Sequence, residues 1–213
     1  MTDDPAVLRD WSPADGAWYV SQLADPDIQR FTSEQPTTTA DDFRAALAAL
    51  GARQDHAGFA IVEAATGRLA GNIAADLAAD GSAEVSYWVA PGFRGRGLAS
   101  HALRQLCAWI SAHWQPEEIA LWTHADNVAS QRTAERAGFR YEPGRDETKT
   151  VGAQAWPARW FIRAARGADY DARPVLLIAP FAAVLPGVLA LLARRVGELV
   201  VQVLGGAVRM ARQ

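Results

Sequence analysis

The stretch VSYWVAPGFRGRGLASHALRQLCAWI, residues 85–110, constrains the fold more than any other part of the chain. An apolar run with β-favouring residues gives way to Arg94-Gly95-Arg96-Gly97, after which Ala99, Leu103, Leu106 and Ile110 recur at spacings of four, three and four. The first part predicts a strand, the last a helix with one buried face. At such a handover the first-turn amides lack partners and point outward, so a phosphate can be held there. Several nucleotide-type ligands fit that description.

The flanking sequence sets the architecture around this junction. Asp15–Leu23 reads as a helix broken at Pro26, and TTTADDFRAALAALGARQ as a helix with a Thr/Asp start, Phe43, Leu47 and Leu50 on one face, and Gly51 at the stop. GFAIVEAATGRLAGNIAAD reads as two strands around a turn at Thr66-Gly67, and AEVSYWVA as a third, an antiparallel meander. After the glycine-rich junction come a strand, EIALWTHA, and a helix, NVASQRTAERAG, whose Gly138 suits a left-handed terminus. FRYE and AWPARWFIRA are further strand candidates, with Pro157 placing the second near an edge or bulge. The order predicts an α/β domain over 1–166, and no internal repeat interrupts it.

Composition narrows the function classes. With 213 residues, half of them hydrophobic, 21% charged and a net charge of −3, the chain has the substance for one core but no basic footprint for nucleic acid. Lys149 is the only lysine. Cys107 is the only cysteine, which excludes an internal disulfide and a cysteine-based zinc site; its place in a helical pattern makes it a core residue. No metal is expected. The acidic start MTDDPAVLRDW has no apolar leader, which predicts a cytoplasmic domain.

The junction itself discriminates between ligands. A P-loop needs Gly-Lys followed by Ser or Thr, and that lysine is missing. A dinucleotide fingerprint needs a third Gly or Ala where Ser100 stands, and it belongs to the opening unit of a parallel sheet rather than to a meander. A third pattern is satisfied: Arg or Gln, two residues, Gly, one residue, then Gly or Ala, here Arg94, Gly97 and Ala99.

That pattern resembles the pyrophosphate-binding signature of the GNAT superfamily of N-acetyltransferases. The segment HADNVASQRTAERAGF resembles the family's second block. LRDWSPADGAWYVSQLADPDIQRFT, GFAIVEAATGRLAGNIA and AEVSYWVAPGFRGRG are similar to its RimJ/RimL-like branch, which includes ribosomal-protein N-terminal acetyltransferases. The likeness covers about residues 7–165. It implies a GNAT fold: a mixed, mostly antiparallel sheet flanked by helices, with the cofactor in a cleft between two splayed parallel strands, here EVSYWVA and IALWTH.

The resemblance also implies the chemistry. Acetyl-CoA would be the cosubstrate, its pyrophosphate on the amides of Gly95, Arg96, Gly97, Leu98 and Ala99, with Arg94 and Arg96 adding charge-assisted contacts. Its pantetheine would pair with backbone groups around Trp88 and Val89. A neutral primary amine would attack the thioester directly. Glu84 is the candidate base, against a plain pairing with an arginine, and His124 is a second candidate base. Ser130 is the candidate donor to the leaving thiolate, against a role in satisfying the helix backbone. Asn127 matches a cofactor-contacting asparagine and also suits a helix cap. The acceptor walls would be QRFTSEQPTT and PGRDETKTVGAQ, where Glu34, Asp146 and Glu147 either attract a cationic amine or are merely solvated.

The acceptor stays open between a protein N-terminal α-amine and a small amine or aminoglycoside. A domain that only binds CoA, as a sensor or membrane-tethered scaffold, is the reading from another class.

The chain then departs from its relatives. PVLLIAPFAAVLPGVLALLA, residues 174–193, carries no charge and is long enough to span a bilayer, but Pro180 and Pro186 interrupt it. Arg194, Arg195, Arg209 and Arg212 beyond it would hold the far flank in the cytoplasm together with the domain, which a single span does not allow. Leu189, Leu192, Val196, Leu199 and Val203 follow a three-four spacing. The 167–213 extension is therefore expected to be largely helical, and it is open between membrane association, packing on the domain or a second subunit through 174–210, and a poorly ordered tail.

Overall fold

The computed structural model describes residues 4–165. Eight strands form one sheet: β1 Ala6–Asp10, β2 His56–Glu63, β3 Leu69–Leu77, β4 Ala83–Val89, β5 Glu118–His124, β6 Arg140–Tyr141, β7 Glu147–Val151 and β8 Gln154–Ala164. Their order is β1-β2-β3-β4-β5-β8-β6, with β7 also paired to β8. All neighbours are antiparallel except β4 and β5.

Among the described residues, five α-helices cover the sheet: α1 Gly16–Gln22, α2 Pro26–Phe31, α3 Ala40–Gly51, α4 Leu98–His113 and α5 Val128–Arg136. Successive side chains on β4 point to opposite faces, and they show which helix lies where. Tyr87 reaches Ser130 of α5, whereas Trp88 stacks on Trp18 of α1 at 6.0 Å. Thus α5, with α4 beside it, lies on one face, and α1 lies on the other against α3.

The predicted meander, α3 and α4 are present. Thr39 and Asp42 close a reciprocal capping box on α3. The buried stripe of α4 begins at Leu98 instead of Ala99 and continues through Leu103, Leu106, Cys107 and Ile110. Burial pushes the Cys107 thiol up to about 12 although Arg163 acts against it, so Cys107 is an inert core residue.

Four local features differ from expectation. Pro26 begins a helix, because at the first helical position its missing N–H costs nothing and Asp25 caps the turn by accepting from Ile28 N–H. Residues 6–10 are a strand that the sequence pattern does not announce, and residues 147–151, expected as loop, form β7. Pro157 is not on an edge strand. Its carbonyl accepts from Ala125, just past the end of β5, so its missing N–H faces a place where pairing has already stopped.

Residues 166–213 lie outside the described residues, and with them the expected helical extension and its membrane or subunit contacts. No helix among the described residues is long and apolar enough to cross a membrane.

Candidate active site

The site starts with a broken sheet. β4 and β5 are paired only at Ala83↔Ile119 and Glu84↔Ala120. Beyond these rows the two strands part, as the resemblance implies. A cleft of about 770 Å3 opens there, lined by β4 and β5, the Phe93–Ser100 loop, residues 27–34 and the start of α5.

Which backbone groups face the cleft follows from alternation along β4. Ala90 N–H bonds Ala70 on β3, and the Trp88 carbonyl lies so near Gly71 that a Cβ there would sit 2.3 Å from it. Ala90 and Trp88 therefore present their peptide groups to β3, Tyr87 and Val89 turn theirs toward the cleft, and Val85 faces β5 at the last paired row. Of the backbone groups around Trp88 and Val89, those of Trp88 face β3 and those of Val89 face the cleft. Trp88 enters the site through its side chain, and the Val89 carbonyl accepts from Arg94 Nε at 3.0 Å.

At the start of α4, Gly95 and Gly97 have φ of +73° and +78°. A Cβ at either would meet nothing within 4 Å, so backbone conformation, not crowding, calls for glycine here. Gly97 is the N-cap and no side chain caps the first turn, which leaves the Leu98 and Ala99 amides directed at the cleft wall. The Ser100 hydroxyl donates to the Gly97 carbonyl at 3.0 Å.

The two arginines are otherwise engaged. Arg94 bonds Asp25 and Asp27 at α2, and Arg96 bonds Glu63. Burial works against ionisation of Asp25, yet its bonds to Arg94 and to backbone amides hold its carboxyl below the usual range. The arginines thus fasten the loop to β2 and α2 before any anion arrives.

Glu84 and Ser130 both line the cleft. Glu84 has no arginine partner; its Oε1 accepts from Trp122 Nε1 at 2.8 Å. Lys149 holds Trp122 in turn, its Nζ lying 5.1 Å from the ring centroid. Asn127 caps α5 by accepting from Ser130 N–H at 3.0 Å, so the Ser130 hydroxyl is not needed by the helix. It meets the Tyr87 hydroxyl at 2.8 Å. His124 lies beside this group but outside the cleft lining, and its Nδ1 already accepts from Asp126 N–H at 3.1 Å.

Of the acceptor-side acids, only Glu34 lines the cleft. Its Oε1 accepts from Tyr19 at 2.5 Å and from Trp88 Nε1 at 3.0 Å, which leaves Oε2 uncommitted. Burial, and next the nearby Glu34 charge, raise the Tyr19 phenol far above its usual range, so Tyr19 stays a donor. Asp146 and Glu147 are instead bound to Tyr141 and Trp160 around β8. The predicted wall at 143–154 contributes only Val151 to the lining. Tyr87, which lines the cleft, and Tyr19, which holds Glu34, are missed by sequence reasoning, since nothing in local spacing links them to Ser130 or Glu34. Among the described residues no group of three His, Cys, Asp or Glu is placed to hold a metal ion.

Comparison with known proteins agrees with this geometry. A protein of Bacillus subtilis (strain 168) named "Putative ribosomal N-acetyltransferase YdaF" is 32% identical over 60 residues, 28% of this chain; the chain matches only 33% of that relative's length. The spermidine N-acetyltransferase of Vibrio cholerae, solved with CoA and spermine, superposes with a TM-score of 0.66 at 16% identity, over 76% of this chain and 97% of that one. RimJ of Mycobacterium smegmatis, solved with CoA-disulfide, gives 0.64 at 21% identity, over 75% and 82%. At these identities the two structures speak for the fold alone. The sequence profile of the acetyltransferase (GNAT) domain matches residues 6–140, most of the chain, and with the split β4–β5 pair and the uncapped start of α4 it shows that the protein belongs to the GNAT acetyltransferase family.

Proposed function

We propose that the chain moves an acetyl group from acetyl-CoA to a primary amine by direct attack. The observation that carries this is the convergence of the uncapped α4 start, Glu84 and Ser130 on one cleft, where the sheet has been opened.

The pyrophosphate sits on the amides of Gly95, Arg96, Gly97, Leu98 and Ala99. Arg94 and Arg96 shape that loop through their acidic partners Asp25, Asp27 and Glu63. The pantetheine runs along β4, completing peptide groups of the Tyr87–Val89 segment beside the Trp88 side chain, and the Asn127 amide nitrogen remains free to contact it. The amine nitrogen attacks the thioester carbonyl, a C–N bond forms, and the C–S bond breaks with its electron pair kept by sulfur. The proton lost by the amine passes through water to Glu84, whose Oε2 is uncommitted; the Ser130 O–H faces the sulfur. Because Glu84 lines the cleft and His124 does not, Glu84 is the base.

The acceptor is a protein N-terminal α-amine, a reading supported by the ribosomal name of the Bacillus relative and by an open cleft able to admit a chain end. A small cationic amine is the second reading, favoured by two carboxylates, Glu34 and Glu84, in the cleft lining and by the Vibrio cholerae structural neighbour. Thiol release from acetyl-CoA over a panel of N-terminal peptides, polyamines and aminoglycosides tests both. Turnover of peptides alone supports the first and turnover of polyamines alone the second. CoA binding with no turnover would replace both with a CoA sensor. The charge-free stretch 174–193 supports attachment of the domain to a membrane or a second subunit; full-length protein found wholly in the soluble fraction of cells would remove the membrane alternative.

A further inference from the structure

Ser130 is an aliphatic alcohol at the start of a helix, and such a group is a poor donor unless its proton is aimed. Its backbone N–H is taken by Asn127, and its Oγ has one protein neighbour, the Tyr87 hydroxyl at 2.8 Å. Either oxygen has a proton to give. The phenol is the stronger acid and the weaker base of the two, and its other acceptor, the Ser130 carbonyl, is farther away at 3.4 Å, so the stable arrangement has Tyr87 donating and Ser130 Oγ accepting. The Ser130 proton must then point elsewhere, and the open side of Ser130 is the cleft.

Tyr87 is built to hold that arrangement. It stands on β4, in register with Ile73 of β3, so its ring origin is fixed by the sheet while Ser130 comes from across the gap. Thr133, the next hydroxyl along α5, gives its own proton to the Ala129 carbonyl at 2.9 Å and does not compete as a donor to Ser130. Burial pushes the phenol up to about 12, against the opposing effect of Ser130 and Thr133, so Tyr87 keeps its proton throughout the neutral range.

We propose that Tyr87, by donating to Ser130 Oγ, aims the Ser130 proton at the sulfur of CoA, which makes Tyr87 a positioning residue for the leaving group. This rests on the acetyl-CoA reading above. No proton leaves Tyr87 in the step: sulfur keeps the electron pair of the broken C–S bond, is stabilised by the Ser130 O–H, and takes a proton from solvent on release.

The test needs no acceptor. A hydrogen bond that favours thiolate lowers the thiol pKa of bound CoA, so CoA binds more tightly as pH rises toward the thiol range, by about tenfold where binding makes the thiol ten times more acidic. CoA and desulfo-CoA, which lacks the sulfur, are titrated calorimetrically at pH 7 to 9.5 on the full chain, wild type, Tyr87→Phe, Ser130→Ala and the double variant. The expected result is tightening with pH for CoA but not desulfo-CoA, lost in each single variant, with no further loss in the double. Desulfo-CoA affinity at pH 7 is expected to be unchanged by Tyr87→Phe, which separates positioning from damage to the fold. Tightening retained in Tyr87→Phe, or losses that multiply in the double variant, would overturn the proposal while leaving the acetyltransferase reading intact. Failure of the wild type to bind either ligand would overturn both.

Discussion

Arg96, in the glycine-rich loop, is ion-paired with Glu63, a carboxylate only 5% exposed at the end of β2. The other Glu63 oxygen accepts from the Thr66 hydroxyl at 2.5 Å, so the pair ties the loop to the β2–β3 turn. Removing Arg96 leaves a buried charge without its partner. Arg96→Ala is expected to cost about 1–3 kcal/mol in urea unfolding, with part of the loss recovered when Glu63→Gln is added. An unchanged unfolding midpoint would show that the pair contributes nothing to holding the loop.

Gly97, at φ +78°, has a backbone conformation that a Cβ opposes by about 1–2 kcal/mol. Gly97→Ala should therefore reduce stability by that amount and turn the first amides of α4 away from an anion, weakening CoA binding at least several-fold in calorimetry. Gly51→Ala serves as the control, because a Cβ there meets nothing within 4 Å and its φ is not positive. Equal effects at both positions would count against the cradle.

Asp25 joins the loop to α2: it caps the helix and bonds Arg94. Its folded carboxyl is held below the ordinary Asp value of about 3.9, so its contribution is complete above about pH 4 and is lost as pH falls through the lower folded value. Asn keeps the cap and drops the charge. Asp25→Asn should be less stable than wild type by roughly 1 kcal/mol at pH 7, with the two curves converging as pH falls through the lowered folded value. Parallel curves across that range would remove Asp25 as the titrating group.

Glu84→Gln retains an oxygen for the Trp122 indole and removes the base. Turnover should fall about 100-fold near pH 7, with little change in acetyl-CoA affinity. The deficit should shrink toward pH 9, where more of an α-amine, of pKa about 8, is already neutral. A pH profile identical to that of the wild type would exclude Glu84 from proton transfer.

Much of the scaffold is legible from local chemistry. The Thr39 and Asp42 box, the Leu103–Ile110 stripe and the short turns of the meander each report on residues within a few positions of one another. β1 escapes notice because AVLRD shows only two buried positions, Ala6 and Leu8, and ends in a charged pair. ETKTV offers no apolar alternation, since β7 lies on an exposed flank and is defined by its pairing with β8. The site divides in the same way. The positions of Glu84, Asn127, Ser130 and the glycine loop can be read from motifs, but their partners cannot: Trp122, Tyr87, Glu63 and Asp25 come from other elements. Arg94 and Arg96 are left by the sequence between contacting an anion and facing water, and the acids that engage them lie 69 and 33 residues away.

The two short rows joining β4 to β5 mean that this domain folds with an internal seam. Past the last paired row, the peptide groups of Tyr87 and the Val89 N–H, which an ordinary sheet would use up, face the cleft, so in the proposed function the ligand acts as a removable strand. Binding and sheet completion become one event. In hydrogen exchange the cleft-facing amides of β4 should trade protons readily in the free protein and slow sharply with CoA, while the β2–β3 ladder behind them stays unchanged.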